Sequence, residues 1–437
     1  MTAQKDWVAS AGVALSGEVL VPGDKSVSHR SVMLAALADG NSRIDGFLEG
    51  EDTRATAAIF SALGVRIESP SPSQRIVHGA GVDGLRASME PLDCGNAGTG
   101  MRLLCGVLAG QAFDSVLVGD GSLSKRPMGR VIGPLSRMGA RIVSGEGGLP
   151  PLHIHGGTGL HGIDYTLEVA SAQVKSALLL AGLYAEGETV VREPHPTRDY
   201  TESMLRAFGV NIEYSPGVAR LRGGQRLRAT DIVVPADFSS AAFFIVAATV
   251  VPGSDLLIRS VGLNPRRTGL LAALRAMGAD IVEQARGERG GEPVGDLRVR
   301  HAQLQGIEVP AHLVPDMIDE FPALLVAAAC ARGRTVVTDA QELRVKESDR
   351  LAAMAAGLQA LGIRVEETPN GASVTGGTLR GGGIQSHGDH RIAMAFSVAA
   401  QVASAPVRIL DVANVATSFP GYDALARSCG FGPFNPA

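Results

Sequence analysis

This sequence predicts an α/β fold of two similar domains, each built from three β-α-β-α-β-β repeats. Three observations carry the prediction. One phrase, apolar-Gly-apolar-polar-apolar, closes a helix and opens a strand again and again. It reads Leu63-Gly64-Val65-Arg66-Ile67, Met138-Gly139-Ala140-Arg141-Ile142, Phe208-Gly209-Val210-Asn211-Ile212, Met277-Gly278-Ala279-Asp280-Ile281 and Leu361-Gly362-Ile363-Arg364-Val365, with a degenerate copy at Cys429-Gly430-Phe431. The spacing is about 70 residues, which fits stacked supersecondary units. Second, each copy begins with a strand, a polar turn and an Ala/Leu-rich helix, with helix starts near Ser26, Gly98, Ser171, Ser239, Asp319 and Asp389. Third, helices such as Ala177-Leu178-Leu179-Leu180-Ala181 are apolar nearly all round and belong inside a layered domain rather than on a surface.

Taken in order, the first unit opens at Val21-Pro22-Gly23-Asp24-Lys25-Ser26, after the strand-like Gly17 to Val21. Pro22 and Gly23 make a turn, and Asp24 or Ser26 can cap the helix that follows. The recurring glycines suit the left-handed position just past a helix end. Strands such as Thr189-Val190-Val191 and Thr335-Val336-Val337 follow the buried helices. Three copies per domain put a change of domain near Pro235-Ala236-Asp237. The expected division is 22–237 for the first domain and 1–21 with 238–437 for the second, with two hinge crossings. The strand before Pro22 is then expected to pair with the second half. Arg286 to Glu292 reads as an exposed loop, and His153 and His155 as structural residues alternating on a strand.

Composition limits the function. The 437 residues are 45% hydrophobic with net charge −4, so no global basic field awaits nucleic acid, and any anion site must be built locally. Aromatics at 4% argue against base-stacking platforms. The cysteines Cys94, Cys105, Cys330 and Cys429 show neither metal spacing nor a disulfide framework, which leads us to expect reduced thiols and a cytoplasmic protein. Met1 to Gly12 lacks the pattern of a secretory signal. The apolar run Ala241 to Val251 is too short to cross a bilayer.

The polar residues at the helix starts carry the chemistry. Lys25, Ser26 and Arg30 meet at one start, with Ser26 and Arg30 on one face, where free N–H groups already favour an anion. The stretch is not a P-loop, because the first glycine of that motif is missing. Asn96-Ala97-Gly98-Thr99-Gly100 lets backbone N–H groups approach a ligand. Arg126-Pro127-Met128 places Arg126 at a helix N-terminus, where a cation needs an anion beside it. Ser171-Ala172-Gln173-Val174-Lys175 opens the third apolar helix; a cap explains Ser171 but not Gln173 and Lys175. Arg198 and Glu202 have the spacing of an i,i+4 pair. Asp319-Glu320 sets two acids before a buried helix, one of them a candidate proton acceptor. Lys346 and Arg350 share a helical face with Glu347 between them, and Asp389-His390-Arg391 opens the sixth copy. His387 and His390 lack a further ligand cluster, so no metal is expected. Each stretch also reads plainly as a capped turn or a solvated helix. Cations recurring at equivalent starts do not. If the domains face each other, these starts converge on a cleft suited to small anions bearing phosphate and carboxylate groups.

Together, Pro22 to Ser26, Asn96 to Thr99, Arg126 to Met128, Ser171 to Gln173, Arg344 to Arg350 and Asp389 to Arg391 resemble the 5-enolpyruvylshikimate-3-phosphate (EPSP) synthase family, in order and over nearly the whole chain. The resemblance implies the enolpyruvyl transferase fold, an inside-out α/β barrel. It also implies a monomeric, cofactor-free enzyme of chorismate and aromatic amino acid biosynthesis, the glyphosate target, with neither nucleic acid nor membrane as partner. Such an enzyme moves the enolpyruvyl group of phosphoenolpyruvate to the 5-hydroxyl of shikimate 3-phosphate. By the same resemblance Lys25, Ser26, Arg30, Ser171, Ala172, Gln173, Arg198, Asp319 and Lys346 hold shikimate 3-phosphate. Lys25, Asn96, Gly98, Gln173, Arg126, Arg350 and Arg391 hold phosphoenolpyruvate. Asp319 accepts the hydroxyl proton, and Glu347 with Lys346 or Lys25 handles the methylene proton. Two departures stand out. Many members carry a lysine shortly before a Ser/Thr-Phe-Pro turn, where this chain reads Val415-Ala416-Thr417-Ser418-Phe419-Pro420, and many have a tyrosine where Thr197 falls. Two rivals are a transferase acting on a UDP-sugar and a non-catalytic phosphometabolite-binding protein. The first typically has a cysteine in the loop Gly119 to Arg130, absent here; the second is disfavoured by Asp319 and Glu347 beside the cations.

Overall fold

The computed structural model describes residues 5–289 and 291–436. The N-terminal residues 1–4 of the stretch read for a signal, and Gly290 of the stretch read as a loop, lie outside them. The described chain divides into two compact units. One holds Gly23–Pro235 with Glu288–Glu292; the other holds the chain up to Pro22, Ala236–Gly287 and Pro293 onward.

Each unit repeats one sheet plan, a parallel pair followed by antiparallel strands. In the first unit the third repeat is the simplest case. Asp164–Thr166 runs parallel to Glu188–Arg192, which is antiparallel to Val218–Arg222, which is antiparallel to Ile212–Ser215. The second repeat does the same with Leu92–Asp93, Ser115–Val118, Leu152–His155 and Arg141–Ser144. The first repeat borrows its leading strand. Leu227–Arg228 and Ile232–Val233, late in the unit, pair parallel to Ala38–Asp45. The second unit borrows too: Ser16–Val19 pairs parallel to Asp255–Gly262, and Trp7–Ala9 lies antiparallel to Val407–Leu410 in the sixth repeat. The N-terminal strand thus pairs with the second half. In the fifth repeat the leading strand is reduced to two parallel bridges, Gln305 to Arg332 and Glu308 to Val336. No ladder among the described residues closes the six sheets into a hydrogen-bonded barrel.

The helices are inside. Lys25–Leu37, Gly98–Ala109 and Ala172–Gly182 fill the first unit, and Phe238–Val250, Phe321–Cys330 and His390–Ala400 fill the second; each is buried along most of its length. Their uniform apolarity explains this, since burying each Leu, Ile or Phe side chain contributes about 1.5–3 kcal/mol. Close packing sets one glycine: a Cβ on Gly106 would meet Ala177 O at 2.1 Å, so the helices Gly98–Ala109 and Ala172–Gly182 could not approach with any other residue there. The repeat phrase has a common geometry as well. Gly64, Gly139, Gly209, Gly278, Gly362 and Gly430 all take φ between 83° and 115°, one residue past a helix end.

Several local expectations are corrected. Arg126 does not start a helix; Gly129–Arg137 begins three residues later. Asp120 Oδ1 accepts from the N–H groups of Ser122 and Leu123, starting a single 3-10 turn over Leu123–Lys125, and Pro127 forces Arg126 to φ −94°, ψ 122°. Lys346 and Arg350 share no helix. Lys346 is extended after the 3-10 segment Gln341–Val345, and Arg350–Ala360 starts anew with Asp349 Oδ1 capping Ala352 N at 3.0 Å. Phe321–Cys330 starts two residues after Asp319. Arg286–Arg289 is no loop but the end of the strand Asp280–Arg289, and Glu292 opens the strand Glu292–Arg300, its neighbour in the sheet. Arg198 precedes the helix Tyr200–Ala207, and Glu202 is buried against Lys175 at 2.8 Å rather than paired to it.

Candidate active site

In the first unit the helix starts gather cations and amides. Asp24 Oδ1 accepts from Val27 N at 2.9 Å and fixes the start of Lys25–Leu37. Lys25, at that start, donates to Asp52 Oδ2 at 2.9 Å. Arg30 is buried and donates from Nε to Thr201 Oγ1 at 2.7 Å, from Nη1 to Ser26 O at 2.9 Å and from Nη2 to Ser176 Oγ at 2.8 Å. Burial first, and then the nearby charge of Arg198, pull its guanidinium down to about 10. The like charge of Arg198 thus works against that of Arg30.

The second and third helix starts of this unit form a related cluster. Arg126 Nη2 donates to Asn96 Oδ1 at 3.0 Å. A Cβ on Gly98 would lie 3.1 Å from Nη1 of both Arg126 and Arg102, so two guanidiniums flank the first residue of the helix Gly98–Ala109. Gln173 ties the next helix in: its Nε2 donates to Thr99 Oγ1 at 2.8 Å and its Oε1 accepts from Arg102 Nη1 at 3.0 Å. Ser171 caps Ala172–Gly182, accepting from Val174 N at 3.4 Å. Lys175, by contrast, points into the interior, 2.8 Å from both Glu193 and Glu202. Burial works to lower its proton affinity, but the two carboxylates outweigh that, and the net shift is upward.

In the second unit several charged side chains meet around Asp319. Arg350, only 1% exposed, donates from Nε to Asp389 Oδ2 at 2.8 Å and from Nη2 to Glu347 Oε2 at 2.5 Å, while its Nη1 lies 3.6 Å from Asp319 Oδ1. Burial opposes its charge, but the Asp389, Glu347 and Asp319 carboxylates overcome this and hold it above the usual arginine value. Arg391 Nη1 donates to Asp319 O at 3.1 Å, and Arg391 N to Asp389 Oδ1 at 2.9 Å. Lys346 is lowered from the ordinary lysine value, first by burial and further by Arg350, although Asp319, Glu342 and Glu347 pull the other way. A lysine lowered in this way is suited to proton exchange.

Sequence reading missed two arginines here. Arg102 is one turn into the helix Gly98–Ala109, and its i,i+4 spacing from Gly98 was the available signal. Arg267 donates from Nη1 to Asp319 Oδ2 at 3.0 Å. It occupies the loop before the second helix of the fourth repeat, as Arg126 and Arg198 do in the second and third, so aligning the repeats would have found it. The short helix Val415–Ser418 holds no cation, and Thr417 Oγ1 donates to Asn414 O at 2.7 Å.

A chain of repeated α/β units with cations at the helix starts of both halves, and an acid beside one set, has the build of an enolpyruvyl transferase. Among solved structures it superposes on the enolpyruvyl transferase NikO from Streptomyces tendae with a TM-score of 0.80 over 99% of this chain and 100% of that one, at 19% identity, a likeness of fold. It superposes on EPSP synthase from Acinetobacter baumannii with a TM-score of 0.90 and 49% identity over 100% of both chains. Residues 9–424 match the family model of EPSP synthase (3-phosphoshikimate 1-carboxyvinyltransferase). The chain is 72% identical over 426 residues to the 3-phosphoshikimate 1-carboxyvinyltransferase of Xanthomonas euvesicatoria pv. vesicatoria (98% of this chain, 97% of that protein) and 73% identical to that of Xanthomonas campestris pv. campestris over the same shares. The chain belongs to the EPSP synthase family. It is an enzyme, and the activity is transfer of the 1-carboxyvinyl group of phosphoenolpyruvate to shikimate 3-phosphate.

Proposed function

We propose that the two clusters serve one pair of substrates, with the following division of roles. Lys25, Ser26, Arg30, Ser171, Ala172, Gln173, Arg198, Asp319 and Lys346 hold shikimate 3-phosphate. Lys25, Asn96, Gly98, Gln173, Arg126, Arg350 and Arg391 hold phosphoenolpyruvate. The observation that carries this reading is the pairing of cations at the helix starts, above all Arg126 with Asn96 and Arg350 with Asp319. Two substrates with roughly five or six negative charges between them must be brought together, counting each phosphate as about −1.5 to −2, and the cations offset that repulsion. Positioning and water exclusion then supply most of the rate.

The residues divide the proton work. Asp319, held by arginines, accepts the proton of the 5-hydroxyl as its oxygen attacks C2 of the enolpyruvyl group. Glu347 and Lys346 deliver a proton to C3, and the same pair withdraws one from C3 when phosphate leaves and the enol ether forms. Gln173 acts chiefly by fixing Arg102 and Thr99. The protein is proposed to work as a cytoplasmic monomer; no helix of the described residues is long and apolar enough to cross a membrane. A phosphate-release assay tests the reading. Release is expected only with both substrates present, and release with phosphoenolpyruvate and a UDP-sugar instead would overturn it.

A further inference from the structure

Asp319 is gripped at both carboxylate oxygens by buried guanidiniums from different repeats. Oδ2 accepts from Arg267 Nη1 at 3.0 Å, and Oδ1 faces Arg350 Nη1 at 3.6 Å. Arg350 divides its charge among Asp319, Glu347 and Asp389. Arg267 is held differently. It is 5% exposed, in the loop between the strand Asp255–Gly262 and the helix Gly269–Ala276. That loop is pinned: Arg267 N donates to Asn264 O at 2.8 Å, Arg266 N donates to Asn264 Oδ1 at 2.9 Å, and Arg266 Nη1 donates to Asp316 Oδ2 at 3.2 Å. The guanidinium then reaches two helix starts. Besides Asp319 it donates from Nη2 to Ser239 Oγ at 2.5 Å and to Asp237 Oδ1 at 3.4 Å, and it lies 3.8 Å from Glu320 Oε1.

The charge balance favours Asp319. Asp237 is already occupied as the cap of Phe238–Val250, accepting from Ser239 N at 2.8 Å. Glu320 is fully enclosed; burial raises its proton affinity, against Arg267 and with Asp319. Glu320 Oε1 lies farther from Arg267, at 3.8 Å against 3.0 Å for Asp319 Oδ2, and Asp319 is the more exposed of the two adjacent acids at 16% of its side chain.

We propose that Arg267 is a positioning residue for the proposed base: it orients the Asp319 carboxylate and keeps it ionised, so that Asp319 is ready to take the hydroxyl proton. This rests on the base role given to Asp319 above. An opposite charge at hydrogen-bond distance favours the ionised carboxylate. Other charged groups facing Asp319 include Arg350, Lys346, Arg391 at its backbone oxygen, and Glu320 beside it. Arg267 reaches Asp319 from outside their repeats.

The test compares Arg267→Gln, which keeps hydrogen-bonding capacity and removes charge, with Arg267→Lys, which keeps charge. In Arg267→Gln, kcat is expected to fall about 10- to 100-fold with both KM values within about 3-fold, and the acid limb of kcat to move up by about half to one pH unit. Arg267→Lys is expected to recover the wild-type acid limb and to stay within about 5-fold of wild-type kcat. An unchanged kcat in Arg267→Gln, or equal losses in both variants with the acid limb in place, overturns the proposal. If Arg267→Gln does not fold, Arg267→Lys decides, and a displaced acid limb there overturns it. A wild-type protein that releases no phosphate from the two substrates refutes the base role instead. In that case the Asp319 carboxyl is titrated by ¹³C NMR, assigned with Asp319→Asn. A higher midpoint in Arg267→Gln than in wild type upholds the charge coupling, and equal midpoints overturn it.

Discussion

Arg350 Nε donates to Asp389 Oδ2 at 2.8 Å, joining the starts of two helices 39 residues apart in sequence. Both side chains are at most 1% exposed. Removing one partner of such a pair leaves an uncompensated buried charge. Asp389→Ala is therefore expected to lower unfolding free energy by about 3–5 kcal/mol, more than the ~1 kcal/mol of a lost cap alone. Arg350→Met/Asp389→Leu should cost less than Asp389→Ala. Urea denaturation of the three proteins checks this; a double variant less stable than Asp389→Ala would refute the pairing as the cause.

Asp319→Asn should leave shikimate 3-phosphate binding largely intact and lower kcat about 10²-fold or more, the scale of losing a general base. Calorimetric titration with steady-state kinetics measures both, and near-normal turnover removes Asp319 from the mechanism.

Arg126→Ala should chiefly weaken phosphoenolpyruvate binding and Arg198→Ala shikimate 3-phosphate binding, because they lie before the second helices of different repeats, Arg126 bonded to Asn96 and Arg198 acting on the charge of Arg30. Gly98→Ala should act with Arg126→Ala. Its methyl would stand 3.1 Å from two guanidinium nitrogens, which must give way by a few tenths of an ångström. We expect a several-fold higher KM for phosphoenolpyruvate alone. Titrating each ligand against each variant decides, and reversed selectivity discards the assignment.

His29 contributes to the pH dependence of stability. It is buried, bonded to Thr56 Oγ1 at 2.7 Å, and burial with the charges of Lys25 and Arg30 pushes it from 6.5 down to about 3. Between those values the unfolded chain binds a proton that the folded one does not. Its contribution to stability is therefore full above pH 6.5 and is lost as pH falls toward 3, with a slope of at most about 1.4 kcal/mol per pH unit. Thermal unfolding of wild type and His29→Gln from pH 7.5 to 4.5 tests the sign: the difference between them should narrow on acidification.

Much of this protein could be read before its structure. The left-handed glycines Gly64 to Gly430, the apolar helices, and Lys25 and Arg391 at helix starts are local or periodic features, and short-range sterics and hydrophobic pattern decide them. The strand before Pro22 was also legible as a part of the second half. The partners of the buried charges were not. A cap did not explain Lys175, and its partners Glu193 and Glu202 lie 18 and 27 residues away; Lys346 was read on a helix with Arg350, but Asp349 starts that helix anew. Arg267 meets Asp319 across 52 residues. Nothing within a few residues of either side chain encodes that distance. Tertiary packing decides it, because a buried charge must find its compensation wherever the fold brings an opposite one within reach.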